Sequence, residues 1–160
     1  MVPSAEERWR DSQSGIGCPF CGDRPDESAE WSKLATLSVS TLYLQKLQTY
    51  RGHSVLVFDP RHASRISELT ADEWSALGQD LYLSQKAVER VTNPDHVNVA
   101  SLGNMVSHLH WHIIPRYVGD SRWGASIWTT RGEEMETIHL PDEDYRALAS
   151  ALRAELARDA

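Results

Sequence analysis

Apolar residues along this chain follow two rhythms. Alternation by two marks strands, and recurrence every three to four residues marks helices. Leu34 to Leu44 (LATLSVSTLYL) is rich in β-branched and apolar residues and reads as one long strand or two short ones. His53 to Phe58 (HSVLVF) reads as another strand, ended by Asp59-Pro60, and Val97 to Leu102 and Leu109 to Arg116 read as two more. Helical spacing appears at Trp74, Leu77, Leu81, Leu83, Ala87 and Val91. Thr70-Ala71-Asp72-Glu73 opens that helix as a capping box, and Asn93-Pro94-Asp95 stops it. A last helix opens at Pro141-Asp142-Glu143-Asp144, with acids at its positive dipole end, and carries Leu148, Leu152 and Leu156 four apart. Residues 4–12 read as a short helix, and 13–30 as an irregular stretch rich in Gly, Pro, Asp and Ser. Strands dominating around one central and one C-terminal helix predict an α+β fold with an antiparallel β-sheet.

Composition narrows the function classes. A chain of 160 residues with 41% hydrophobic content fits one domain with a sizeable core. No stretch is apolar enough to cross a membrane, and the polar opening MVPSAEERWRDS does not resemble a signal peptide, so a cytoplasmic protein with no membrane partner is expected. The formal charge of −7 argues against a binder of nucleic acid polymers, which needs a basic footprint. A nucleotide remains admissible, because backbone N–H groups, amides and a few cations suffice to hold a phosphate.

The candidate chemistry is concentrated in two motifs. Ser107 to Arg116 reads SHLHWHIIPR, so His108, His110 and His112 share one face of an extended segment while Leu109, Trp111 and Ile113 share the other. Such a row suits a metal or a phosphorus centre, because imidazole serves as ligand, nucleophile or acid/base near neutral pH. The second motif is Cys18-Pro19-Phe20-Cys21, the chain's only two cysteines. A disulfide is out of place in a cytosolic chain, and a redox Cys-x-x-Cys belongs at a helix start after a strand. Half of a zinc site is the better reading, with its other ligands among His53, His62, His96, His108, His110, His112 and His139.

The order His-φ-His-φ-His-φ-φ, with φ apolar, resembles the signature of the histidine-triad (HIT) family of nucleotide hydrolases and transferases. Here it reads HLHWHII, preceded by RGHSVLVF, RHASRISEL and VNVASLGN and followed by PRY. The likeness covers roughly residues 15 to 120. It implies a single HIT-like domain over 1–160, with 1–30 a zinc-tethered N-terminal segment and 120–160 a C-terminal extension. It also implies a homodimer.

The resemblance assigns roles residue by residue. Structural zinc falls to Cys18, Cys21, His62 and His108, four ligands that leave no open position. His110 becomes the nucleophile that attacks the α-phosphorus, and its second nitrogen then needs an acceptor. His112 contacts the phosphate or the bridging atom and serves the leaving group. His53, Asn98 and Asn104 become phosphate-side substrate contacts. Gln45 stands where many relatives carry a ribose-binding Asp, and Met105 where many carry a Ser or Thr that reaches the leaving group. Ser107 or a backbone N–H is then expected to replace that hydroxyl, or leaving-group preference differs. Arg51 and Arg116 rank low as charge neutralisers. Trp123 and Trp128 are expected to pack, against the chain or a dimer partner, rather than stack on a base.

The implied function is a nucleotidyl hydrolase acting on nucleoside monophosphate anhydrides or phosphoramidates, dinucleoside polyphosphates included. A transferase or phosphorylase, and a non-catalytic nucleotide- or partner-binding module, remain open. So does a catalytic metal held by the three triad histidines, which would leave the cysteines unexplained.

Overall fold

The computed structural model describes residues 4–128 and 137–158. Parts of the expected N- and C-terminal segments, residues 1–3, 129–136 and 159–160, lie outside the described residues. The order is α1 (Ala5–Ser14), β1 (Trp31–Thr36), β2 (Ser40–Gln45), β3 (Ser54–Phe58), α2 (Ala71–Thr92), β4 (His96–Ala100), β5 (His110–Arg116) and α3 (Asp142–Arg158). The strands form one antiparallel sheet in the order β1-β2-β3-β5-β4. No helix among the described residues is long and apolar enough to cross a membrane.

The run Leu34 to Leu44 resolves into a hairpin. Buried Asp80 of α2 accepts the N–H groups of Ser38 and Val39 and the hydroxyl of Ser40, so one carboxylate fixes the β1–β2 turn. That duty puts a polar residue into the buried stripe of α2, which runs Leu77, Asp80, Ser84, Ala87 and Val88. Trp74, counted with the apolar spacing, is 44% exposed instead. The Thr70–Glu73 capping box forms as expected, and a second one, Ser4–Glu7, opens α1.

Each face of the sheet has its own partner. Leu42, Leu44, Leu56, Phe58, Trp111 and Ile113 pack with Leu77 and Val88 of α2 and Leu148, Leu152 and Leu156 of α3. The opposite face carries Tyr43, Val55 and Val57, with Phe20 and Trp31 packed against them, and beside these the histidines. Gly52, just before His53, is fixed by space and by backbone. Its φ is +93°, and a Cβ would sit 2.5 Å from Thr92 Cγ2. That explains the glycine of Arg51-Gly52-His53 without any catalytic role.

Candidate active site and metal centre

The sheet register sets the three triad histidines along one line. His110 pairs with Val57, and His112 with Val55 on one side and Ala100 on the other. The strand proper begins at His110, so His108 and Leu109 precede it. The extended path continues all the same, because Phe58 N–H donates to Leu109 C=O at 3.1 Å and Leu109 N–H to Ala63 C=O at 2.7 Å. The alternation expected from sequence therefore holds through His108.

His108 turns away from the other two, toward the cysteines. Its Nδ1 lies 3.6 Å from Cys18 Sγ and 3.5 Å from Cys21 Sγ, and His62 Nδ1 lies 3.4 Å from Cys21 Sγ. The four ligand atoms are all within 4.8 Å of one another. A tetrahedral zinc with Zn–S ~2.3 Å and Zn–N ~2.0–2.1 Å places S and N about 3.5 Å apart, which the observed separations match. His108 Nε2 donates to Phe58 C=O at 2.6 Å, which fixes the tautomer with its lone pair on the metal side. The quartet is thus shaped for zinc. Its surroundings come from α1: the left-handed Gly15 that ends this helix lies against His62, and a Cβ there would be 3.1 Å from His62 Cγ.

His110 and His112 do not join that cluster, so the triad does not converge on one metal. His110 Nδ1–H donates to the carbonyl of His108 at 2.7 Å, which supplies the acceptor its role requires and leaves Nε2 with a free lone pair. Burial holds its pKa below the ordinary range, opposed by that carbonyl. Phe20 packs its ring against His110 at 5.2 Å between centroids. The Cys-x-x-Cys loop therefore reaches the central histidine through its own phenylalanine.

His112 Nδ1 and His53 Nε2 share a 3.0 Å hydrogen bond. Burial pushes His53 down to about 4 and His112 to about 3, where its imidazole neighbours add to the effect. Both rings are neutral at pH 7, and one donates to the other. Trp128 meets the His112 ring edge-on at 4.9 Å.

The remaining predicted residues separate clearly. Gln45 shares the histidine face at the end of β2. Its N–H donates to His53 C=O at 3.1 Å, and its side-chain amide has no hydrogen-bond partner among the described residues. Asn98 lies on β4 opposite Ile114, and its Oδ1 accepts from Arg116 Nη1 at 2.7 Å. Arginine only donates, so this bond fixes the amide orientation and leaves Asn98 Nδ2 as a donor. Asn104 sits in an exposed bend and makes no hydrogen bond among the described residues. Ser107 does not replace the missing hydroxyl at Met105. It is buried, donating its N–H to Ser12 Oγ at 3.0 Å and its hydroxyl to Ser12 C=O, and Met105 is 91% exposed.

Arg116, ranked low as a charge neutraliser, is only 2% exposed. It holds Asp120 through two bonds of 2.8 Å and also donates to Ala125 C=O and Arg122 C=O. This clamp folds residues 117–128 back over the sheet. Trp123 and Trp128, expected to pack, are 46% and 38% exposed and wall a cavity of about 890 Å³. Phe20 and the Arg116–Asp120 clamp went unassigned in the sequence. Their only signals were an aromatic between two cysteines and an Arg/Asp pair four apart.

The domain model described as "HIT domain" matches residues 33–119. Among solved structures, a histidine triad protein from Bradyrhizobium japonicum is 27% identical, with a TM-score of 0.72 over 79% of this chain and 91% of that one. A histidine triad protein from Marinobacter aquaeolei VT8 is 26% identical, with a TM-score of 0.72 over 82% and 93%. A histidine triad family protein from Mycobacterium smegmatis, described as zinc-bound, shares the fold at 17% identity and a TM-score of 0.53, over 79% and 84%. The comparison with curated proteins finds no significant match. With the domain match spanning more than half of the sequence and the triad in place along β5 and the extended segment that leads into it, the chain belongs to the HIT domain family.

Proposed function

We propose that this protein is a nucleotidyl hydrolase that cleaves at the α-phosphorus of nucleoside monophosphate anhydrides or phosphoramidates, dinucleoside polyphosphates among the candidates. The observation that carries the reading is the His110 Nδ1–H bond to the His108 carbonyl, because it presents a neutral Nε2 lone pair beside a second neutral imidazole. In the first step His110 Nε2 bonds to phosphorus and the bond to the leaving group breaks. The leaving atom keeps the electron pair and gains a proton, handed on from water by His112. In the second step water attacks the nucleotidyl-histidine, the P–N bond breaks, and the monophosphate departs. Asn98 Nδ2 and the imidazole N–H groups donate to phosphate oxygens. The free Gln45 amide serves a sugar hydroxyl, without the charge an Asp would bring. Asn104, in its exposed bend before the triad, is a further phosphate-side donor.

Cys18, Cys21, His62 and His108 are the residues that would hold zinc, in line with the zinc-bound Mycobacterium smegmatis relative. Bound there, zinc supplies a rigid tie between the N-terminal segment and the sheet. Exposed Trp74 and Tyr82 on α2 and Val99 on the edge strand β4 support a homodimer. Light scattering giving twice the chain mass would bear that out, and a monomer at working concentrations would count against it.

Hydrolysis of an adenosine phosphoramidate and of a diadenosine polyphosphate by wild type and His110→Ala tests the proposal. Monophosphate release that disappears in the variant supports it. Retained nucleotide binding with no release by wild type overturns it in favour of a binding module.

A further inference from the structure

The two halves of the Cys/His quartet are anchored unequally. His62 and His108 stand beside backbone that is tied to the sheet. Phe58 N–H donates to Leu109 C=O at 3.1 Å, Leu109 N–H to Ala63 C=O at 2.7 Å, and His108 Nε2 to Phe58 C=O at 2.6 Å. Cys18 and Cys21 belong to no strand or helix, so sheet pairing does not hold them over the histidines. On the N-terminal side of the knuckle, Ser12 of α1 accepts the Ser107 N–H at 3.0 Å. On its C-terminal side the tie is Arg24.

Arg24, three residues after Cys21, donates through Nη2 to Asp59 Oδ1, and Asp59 stands three residues before His62. One ion pair thus joins the segment that carries the thiols to the loop that carries the histidine. Asp59 is fixed independently of Arg24. Its N–H donates to Val39 C=O at 2.9 Å, and its Oδ2 accepts the Thr41 hydroxyl at 2.7 Å. The Arg24 side chain is 12% exposed, and its Cζ lies over the Tyr43 ring, 5.4 Å from the centroid. In so enclosed a pair, removal of one partner strands the other charge, so the geometry is strongly held. Arg24 Nη1 is also buried and has no hydrogen-bond partner among the described residues, and the guanidinium is close enough for its charge to act on Cys21 and His108. A positive group there complements sulfur ligands, which bind metal as thiolates.

We propose that Arg24 and Asp59 are positioning residues for the metal: their ion pair latches the Cys18–Cys21 knuckle over His62 and His108 and sets how tightly the quartet binds zinc. The inference rests on the zinc assignment and extends it to two residues outside the ligand set. With the latch closed, the four ligand atoms stand within 4.8 Å of one another. With it open, zinc binding must also gather the cysteines. The apparent dissociation constant then rises by the inverse of the fraction already gathered.

Competition against a chromophoric zinc chelator, on metal-stripped protein, reads that constant. Arg24→Met should weaken zinc binding about 10–100-fold, and Asp59→Asn about tenfold, since Asn keeps an acceptor for Thr41. The double variant should be no weaker than Arg24→Met, because both changes open one latch. Arg24→Lys, which keeps the charge without the planar fork, should fall between wild type and Arg24→Met. Arg90→Met, which breaks the Arg90–Glu155 pair between α2 and α3, should leave the constant unchanged. Melting curves with and without zinc separate positioning from general stability. Loss of a latch shrinks the zinc-induced rise, whereas loss of a merely structural pair lowers both curves equally. Wild-type zinc affinity in Asp59→Asn or in Arg24→Met, additive losses in the double variant, or an equal loss in Arg90→Met would overturn the inference and leave the zinc assignment standing. Asp59→Asn decides the matter if Arg24→Met does not fold. Wild type that binds no zinc would remove the assignment and the latch together.

Discussion

Strand β5 carries two faces built by opposite rules. Leu109, Trp111 and Ile113 lie in a continuous apolar core against α2 and α3, where each side chain needs only volume and shape. His108, His110 and His112, one residue away in each case, and Arg116 further along the same face have assigned partners: two thiols and a carbonyl, a carbonyl, an imidazole, and a carboxylate. The first face stabilises by burying area, and the second by direction. The core face should therefore respond to mutation in stability, and the histidine face in chemistry.

The largest contrast is expected between neighbours in sequence. His110→Ala should lower kcat on the order of 10³-fold or more, with a melting temperature close to wild type, because removing a nucleophile abolishes its route while the sheet keeps its core. Trp111→Ala should do the reverse, destabilising by about 3–5 kcal/mol in denaturant titration through loss of area and a cavity. If His110→Ala unfolded the protein as readily as Trp111→Ala, the division between faces would fail.

Metal removal sharpens the comparison at the other end of the triad. Cys21→Ser should reduce bound zinc from about one per chain toward none and lower thermal stability, whereas His110→Ala should retain the metal. Elemental analysis alongside melting curves checks both. Zinc lost in His110→Ala, or retained in Cys21→Ser, would contradict the Cys18–Cys21–His62–His108 assignment.

A smaller effect is expected from pH. His53 and His112 have folded pKa values lowered to about 4 and about 3. The unfolded chain therefore binds more protons below its own histidine pKa of about 6.5, and stability falls as pH drops from there toward the folded values. Between pH 7 and 5 each ring contributes up to about 2 kcal/mol of that loss. His53→Gln should flatten the fall, measured as denaturant midpoints across that window; an unchanged slope would show that the His53 ring is not held neutral. The smallest change is expected at Gly15. Alanine there should cost about 1 kcal/mol, from its positive φ and the approach of His62, as read from the melting temperature.

Local signals in the sequence revealed both the sheet and the line of histidines. Alternation places His108, His110 and His112 on one face with no need of tertiary information, and Thr70–Glu73 marks the start of α2 by itself. The hairpin within Leu34 to Leu44 stayed ambiguous because its turn is fixed by Asp80, forty residues away. Ser107 was open as a hydroxyl donor for the same reason: its commitment to Ser12 joins segments far apart in sequence. The cavity that Trp123 and Trp128 wall was not legible because a clamp on buried Arg116 shapes it, and an Arg–Asp pair four apart resembles an ordinary surface pair. Residue types named the chemistry, and long-range bonds decided which side chains were free to perform it.

The central claim is that His110 becomes covalently nucleotidylated. Single-turnover reaction with a labelled adenosine phosphoramidate, quenched in alkali and followed by intact-mass and peptide analysis, tests it most directly. A transient, acid-labile adenylyl group on the peptide that carries His110, absent from His110→Ala, is the predicted result. Monophosphate formed at the full rate with no protein-bound adenylate at any time, and an active His110→Ala, would contradict it.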